Sequence, residues 1–230
     1  MSTNATPSDL TRDRAAEDNR RMADEVPTRE IPESVKARGI VDRATGIERA
    51  RASRQWLHDA AAAALSRTDQ LHDSHFLIMG LATRAAGLHD GTVHALETDN
   101  PFAAYTTLRS YAENAAALLY ATDHPDQLDR ILGFGDTYPI KVGVITNYAD
   151  QGSTRFGAFR GVYADLSEFA HPMSRSIFAS AKRNGDNGIR WSLEPAFKYD
   201  VDFMVTCALV VEMAEANSHL LREYADSQGW

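Results

Sequence analysis

Residues 203–214 read FMVTCALVVEMA, and this stretch decides the fold. Apart from Thr206 and Glu212, every residue in it is apolar. A helix that is apolar on nearly every face belongs in the centre of a protein. The run is shorter than the roughly 18 residues of a membrane span. We therefore expect a core helix over about 201–225, with Asp200 as its N-cap.

Further helices are predicted upstream of this one. Apolar residues at helical spacing indicate a long helix over about 35–65 and a central helix over about 69–98, with its N-cap near Asp69. A third helix, over about 102–121, has Asn100 as the expected N-cap and Pro101 at its first position. Shorter helices are expected at about 127–132, 140–150 and 156–170. Together these segments predict an all-α protein, an antiparallel helical bundle.

Two segments depart from this helical pattern. In residues 175–194, two short apolar runs flank the sequence Asn184-Gly-Asp-Asn-Gly188, which predicts a small β-hairpin before the last helix. Residues 1–34 are polar and rich in proline, so we expect a disordered tail. The remaining residues, 35–230, are then a single helical-bundle domain.

Composition excludes several classes of protein. The 230 residues carry 24 Lys and Arg against 32 Asp and Glu, a net charge of −8, so a general nucleic-acid-coating protein is not expected. One cysteine, Cys207, excludes an internal disulfide framework and a cysteine-based zinc ribbon. No apolar run is long enough to span a membrane, and no signal peptide is recognisable. We therefore expect a cytoplasmic protein that has no membrane partner.

Candidate functional residues lie on two of the predicted helices. Polar residues recur every three or four positions along helix 156–170, and therefore share one face. They are Arg160, Tyr163, Ser167 and His171. Arg109 and Glu113 lie one turn apart on helix 102–121. If the two helices pack together, the six side chains meet, either as a binding or catalytic pocket or as a buried network that fixes helix register.

The order of these residues resembles that of uncharacterised bacterial helical proteins similar to the HEPN superfamily. The pattern is Leu108-Arg109-x-x-x-Glu113, then Tyr163-x-x-Leu166-Ser167-x-x-x-His171-Pro172. The resemblance covers about residues 60–225. It implies a helical bundle, often a homodimer, in a defence or toxin-type system of bacteria or phages. Its ligand would be RNA or a nucleotide-like molecule. Active members are metal-independent ribonucleases, so no cofactor is expected.

The resemblance also implies a role for each candidate residue. Active members carry an arginine and a histidine separated by four to six residues. Three pairs here have such a spacing, about as many as chance gives, and none includes His171: they are Arg51/His58, Arg67/His72 and Arg84/His89. A degenerate ribonuclease would use His171 as general acid or base, and Arg109 or Arg160 to stabilise the phosphorane. Tyr163 and Ser167 would orient the phosphate, and Glu113 would position the arginine.

Two other functions remain open at this point. The protein could be a non-enzymatic scaffold whose long N-terminal helix, 35–65, docks a protein partner or dimerises. A lesser alternative is a di-metal carboxylate bundle. Its ligands would come from Glu168-x-x-His171, from Glu113 and Glu212, and from Asp69-x-x-His72-x-x-His75.

Overall fold

The computed structural model describes residues 29–66, 71–134, 138–152, 155–156, 159–177, 181–184 and 188–229. Residues 1–28, most of the expected tail, lie outside these ranges. The helices are α1 (Glu33–Lys36), α2 (Arg43–Leu65), α3 (Asp73–Glu97), α4 (Pro101–Asp123), α5 (Leu128–Leu132), α6 (Val142–Asn147), α7 (Phe159–Ala170), α8 (Ser174–Ile177) and α9 (Asp200–Ser227). A 3₁₀ turn, Pro125–Gln127, precedes α5, and a π-helical turn, Tyr148–Gly152, follows α6.

The long helices α2, α3, α4 and α9 pack together, which confirms the expected all-α bundle. Arg43, at the start of α2, contacts the carboxylate of Asp99, just before α4, and that of Asp200, the first residue of α9 (3.1 Å). The helices α2, α4 and α9 therefore begin at the same end and run in the same direction, while α3 runs opposite to them. Helix α7 packs on α4 outside these four.

Helix α9 is the core helix that its apolar run predicts. It packs most extensively on α2, where Gly46 allows close approach, because a Cβ at this position would lie 3.0 Å from Sγ of Cys207. Cys207 is fully buried, and burial raises the pKa of its thiol to about 12. It is therefore a packing residue rather than a nucleophile. In the part of the chain described, no helix combines the length and the apolarity that crossing a bilayer requires.

The prediction of a single helix over 35–65 is wrong, because the chain turns between α1 and α2. Gly39 adopts a φ of +75°, a conformation that glycine tolerates best. Asp42 then caps α2: its carboxylate accepts a hydrogen bond from the backbone N–H of Thr45 (2.8 Å), and the Thr45 hydroxyl accepts one from the N–H of Asp42 (3.1 Å). This reciprocal cap provides acceptors for the N–H groups of Asp42 and Thr45, which have no intrahelical acceptor at the start of a helix.

The other helix starts were predicted with mixed success. Asn100 accepts a hydrogen bond from the N–H of Ala103 (3.1 Å) and Pro101 opens α4, as expected. Asp200 is not the cap of α9: it is the first helical residue, and its carboxylate instead binds Arg43. Helix α3 begins at Asp73, later than expected, and Asp69 lies outside the described residues.

The segment between α4 and α9 contains the shorter elements. Helices α5, α6 and α7 lie within the ranges expected at 127–132, 140–150 and 156–170, with α6 ending earlier than predicted in the π-helical turn. Two short strands, β1 (Ala181–Asn184) and β2 (Gly188–Trp191), lie within 175–194 and pair antiparallel. Their register places Ala181 opposite Trp191.

Two buried asparagines connect the core helices. Asn114 on α4 and Asn217 on α9 are both fully buried, and the Asn114 amide donates to Oδ1 of Asn217 (2.9 Å). The Asn217 amide donates to the carbonyl oxygen of Met213 (2.8 Å), and Arg84 on α3 donates to Oδ1 of Asn114 (3.2 Å). Buried amides without such partners destabilise a fold, so this network favours a single relative position of α3, α4 and α9.

We expect Asn217→Ala to lower the free energy of unfolding by about 2–3 kcal/mol, because the buried Asn114 amide keeps only the carbonyl oxygen of Leu81 as acceptor and a small cavity opens. Urea denaturation followed by circular dichroism measures this loss. The control is Asn147→Ala at an exposed position, for which we expect a change of less than about 0.5 kcal/mol. Equal effects of the two substitutions would contradict a stabilising role for the network.

Candidate functional site

Helix α7 has the two faces that its sequence predicts. Phe159 and Leu166 are buried, and Phe169 stacks on Tyr105 of α4 with ring centres 4.2 Å apart. These contacts hold α7 against α4. As a result, the neighbouring polar face, which carries Tyr163 and His171, is turned towards the polar side of α4.

Four of the predicted site residues meet between α4 and α7, and we call them the polar cluster: Arg109, Glu113, Tyr163 and His171. Arg109 Nη1 lies 3.2 Å from His171 Nε2, and Arg109 Nη2 donates to the hydroxyl of Tyr163 (3.0 Å). That hydroxyl donates to Oε1 of Glu113 (2.8 Å). Glu113 Oε1 also lies 3.4 Å from Arg109 Nη2, which makes an i,i+4 ion pair on α4.

The donor and acceptor roles in the polar cluster follow from the chemistry of its groups. A guanidinium only donates hydrogen bonds, so Nε2 of His171 is the acceptor in its contact with Arg109. Burial is the main reason that the pKa of Tyr163 is raised; its hydrogen bond with Arg109 lowers that pKa, and the one with Glu113 raises it. Tyr163 is therefore a neutral hydrogen-bond relay between a cation and an anion.

The polar cluster is only partly enclosed. The side chains of Arg109 and Glu113 are 25% and 17% exposed, and His171 is on the surface. The Nε of Arg109 is buried and has no hydrogen-bond partner among the residues described. The arginine therefore keeps donor capacity that the described contacts do not use.

Two of the six predicted residues do not join the polar cluster. Ser167 donates its hydroxyl to the carbonyl oxygen of Tyr163 within α7 (2.7 Å). Arg160 has a side chain that is 78% exposed, and its Nε lies 4.0 Å from Asp150 in the π-helical turn. Of the two arginines considered for phosphorane stabilisation, Arg109 is the one that contacts His171.

The arginine–histidine pairs with the ribonuclease spacing do not form comparable contacts where the structure describes them. Arg84 donates to Ser110 and Asn114, whereas His89 contacts Ser53. Arg51 binds Glu97, and Nδ1 of His58 lies 3.6 Å from Asp59. Arg67 lies outside the described residues. The spacing of four to six residues between an arginine and a histidine therefore does not identify the candidate site. The contact between Arg109 and His171, which are distant in sequence, does identify it.

The di-metal alternative gains no support from the residues described. Among them, no three His, Cys, Asp or Glu side chains come together as a metal site. Glu212 lies on the outer face of α9, where it faces Arg38 (4.0 Å), and Glu113 contacts Tyr163 and Arg109.

A second polar group, which sequence reasoning missed, lies inside the bundle. Ser53 Oγ is 3.1 Å from His89 Nε2, and His89 Nδ1 is 3.6 Å from Asp90 Oδ1. The order of groups is that of a serine hydrolase triad, but Ser53 and His89 are 1% exposed, so no substrate reaches them. The Ser53 hydroxyl donates to the carbonyl oxygen of Ala50 (2.8 Å). Ser53 and His89 therefore belong to the core, whereas the side chain of Asp90 is 52% exposed.

An open trough of about 920 Å³ lies over the exposed face of α9. Trp56 of α2 and Phe159 and Tyr163 of α7 also line the trough. Tyr163 therefore belongs both to the polar cluster and to the trough. The sequence signal for this surface is the set of charged residues at helical spacing along α9: Glu212, Glu215, His219 and Arg222.

Acidification is expected to destabilise the fold through His89. Burial lowers the pKa of His89 in the folded protein, with a smaller opposing effect of Asp90. Below the unfolded-state pKa of about 6.5, the unfolded chain binds a proton more readily than the folded one. The free energy of unfolding should therefore fall as the pH drops below about 6.5.

Urea denaturation at several pH values measures this dependence. The variant His89→Gln lacks the titrating group and should show a shallower fall over the same range. An unchanged slope in the variant would contradict the assignment to His89.

Comparison with protein-family models, with curated proteins and with solved structures finds no significant match for this chain. The family resemblance of the pattern in residues 108–172 therefore stays a prediction. The interpretation of the site depends on the contacts among Arg109, Glu113, Tyr163 and His171. The geometry makes these four residues the candidate functional site of a helical bundle.

Proposed function

We propose that the polar cluster binds RNA or a nucleotide-like ligand and that the protein is a HEPN-like, metal-independent ribonuclease whose arginine and histidine are distant in sequence. The supporting observation is the 3.2 Å contact between Arg109 and His171, which lie 62 residues apart. Metal-free RNA cleavage requires a group that moves a proton and a cation beside the reacting phosphate. His171 and Arg109 are groups of these two kinds.

The proposed reaction starts with exchange of one hydrogen bond. A phosphate oxygen replaces the imidazole as the acceptor of Arg109 Nη1, because a charged acceptor binds a guanidinium more strongly than a neutral one. This exchange frees Nε2 of His171 to accept the proton of the ribose 2′-hydroxyl. The 2′-oxygen then attacks phosphorus, Arg109 stabilises the phosphorane, and the 5′-oxygen leaves with a proton from solvent.

Tyr163 and Glu113 act on the arginine. Glu113 holds the guanidinium by an ion pair, and Tyr163 holds the same Nη2 through its hydroxyl oxygen. Both contacts leave Nη1 directed at the imidazole, which is where the phosphate must bind. We therefore assign Glu113 and Tyr163 to positioning rather than to proton transfer.

The broader setting stays a prediction. It comprises the defence or toxin-type system, the cytoplasmic location and the homodimer. A protein partner at the long N-terminal helix is also a prediction. In the structure, that long helix is α2. The net charge of −8 disfavours extended contact with RNA, so the ligand is expected to be a short or single-stranded segment bound locally.

Incubation of purified protein with RNA in the presence of a metal chelator tests the proposal. We expect wild-type protein to cleave RNA, and His171→Ala and Arg109→Ala to lower the rate by about a hundredfold or more. The matched control is His94→Ala, because the His94 side chain is 77% exposed and lies on α3. Intact RNA with the wild type, or equal losses in His171→Ala and His94→Ala, would remove the catalytic assignment.

A second candidate function is a non-enzymatic scaffold in which the polar cluster only stabilises the packing of α7 on α4. The observation that favours it is that both Nη atoms of Arg109 already have partners within the protein. Each partner is a group that the first proposal would use. The two proposals differ in what the contacts contribute to stability.

Stability measurements distinguish the two functions. If the polar cluster only holds α7 on α4, Glu113→Gln should lower the free energy of unfolding by about 1–2 kcal/mol, because Tyr163 and Arg109 lose a charged acceptor. If it is a ligand site, the same variant should keep nearly wild-type stability and lose RNA binding. The exposed substitution Glu48→Gln serves as the control for both readouts.

A further inference from the structure

The trough over α9 changes in character along its length. Of its lining residues on α9, Glu212 and Glu215 lie near the start, with side chains 52% and 65% exposed. Arg38 lies 4.0 Å from the first carboxylate and 3.4 Å from the second, so among the residues described these two glutamates share one arginine. Further along, the lining includes the apolar side chains of Leu220 on α9 and Phe159 on α7.

Contacts of α7 place Phe159 at the later end of the trough. The contacts of Tyr163 with Glu113 and of His171 with Arg109 show that α7 runs opposite to α4, and α4 runs in the direction of α9. The bond between the two buried asparagines lies one residue from Glu113, so Tyr163 is near the middle of the trough. Phe159, one turn before Tyr163, therefore lies nearer the end of α9.

The charges around the trough are acidic overall. Three arginines and three glutamates line it, and two aspartates adjoin it: Arg38, Arg155, Arg222, Glu212, Glu215 and Glu223, then Asp123 at 3.4 Å from Arg155 and Asp226 one turn after Arg222. At the later end, Glu223 binds Arg155, and its Oε2 lies 3.7 Å from Nε2 of His219. The exposed carboxylates of Glu212 and Glu215 are less well neutralised, so this surface favours a cation as ligand.

Ser218 provides a second indication of a ligand. It lines the trough and is 2% exposed, yet its Oγ has no hydrogen-bond partner in the part of the chain described. A serine or threonine inside a helix can donate to the carbonyl oxygen one turn earlier, as Thr206 does on the same helix (2.7 Å). Because buried hydroxyl groups in proteins nearly all have partners, the Ser218 hydroxyl fits a polar group of a ligand in the trough.

Glu215 and Trp56 lie close to this hydroxyl. The parallel helices α2 and α9 meet at Gly46 and Cys207, and ten residues later on α2 Trp56 reaches the level of residue 217. Glu215 precedes Ser218 by three residues, so the two lie on the same side of α9. A carboxylate, a hydroxyl oxygen and the face of an indole ring each attract an ammonium ion.

We propose that the trough binds an organic cation that has an apolar body. Its ammonium group contacts Glu215, Ser218 and Trp56, and its body extends along α9 over Leu220 and Phe159. A cation without such a body would leave the apolar end of the trough uncovered, and an anion would meet the excess of carboxylates. The proposal does not rest on RNA cleavage, because none of these five residues belongs to the polar cluster.

Two probes of opposite charge test the proposal with the full chain. Phenylbutylamine carries an ammonium group on an aromatic and aliphatic body, and phenylbutyrate carries a carboxylate on a body of the same kind. We expect isothermal titration calorimetry to show binding of the amine, with a Kd at least about tenfold lower than that of the carboxylate. No binding of the amine, or equal binding of the two probes, would overturn the proposal.

Three variants test the position of the ammonium group. Glu215→Gln should raise the Kd of the amine roughly tenfold, whereas Glu48→Gln removes the same charge at an exposed site on α2 and should leave the Kd unchanged. Equal Kd values in these two variants would place the cation elsewhere. Ser218→Ala should also raise the Kd, yet keep the free energy of unfolding, because its hydroxyl has no described partner to lose. An unchanged Kd in Ser218→Ala would contradict the assigned contact.

Discussion

The hydrogen bond between Asn114 and Asn217 constrains the rest of the structure. Both amides are buried, and the hydrogen bond between them forms only while α4 and α9 keep one relative position. Glu113 precedes Asn114 by one residue and therefore points about 100° away from it around the axis of α4. With Asn114 held against α9, the face that carries Glu113 and Arg109 is turned to α7. The rotation of α4 in the core thus determines where the polar cluster forms.

Local sequence signals predicted the features that depend on a few neighbouring residues. The apolar run of α9 and the cap at Asn100 were predicted correctly because each acts within its own helix. The same principle explains the error at α1 and α2: the signals at Gly39 and Asp42 were present but were overlooked within a continuous helical pattern. Tyr163 and His171 were placed correctly on one face by their spacing. Spacing could not show that Arg160 lies beside Asp150 instead.

Features that depend on tertiary contacts were beyond the sequence. Nothing near Asn114 or Asn217 distinguishes a buried amide from a surface one, because the distinction lies in the partner helix. The sequence predicted an antiparallel bundle, whereas α2, α4 and α9 run in one direction and only α3 runs opposite to them. The segment 124–199 is long enough to return the chain to either end of the bundle, and the contacts of Arg43 with Asp99 and Asp200 show which end it is.

The position of α7 outside the four long helices has a consequence for local unfolding. The core pair Asn114–Asn217 does not involve α7, so separation of α7 from α4 leaves that hydrogen bond intact. The contacts that hold α7 on α4 include the polar cluster, in which Arg109 contacts both Tyr163 and His171. Detachment exposes α7 amides to hydrogen exchange before those of α4 and α9. The free energy of separating α7 from α4 then determines both how strongly these amides are protected from exchange and how readily Arg109 becomes accessible.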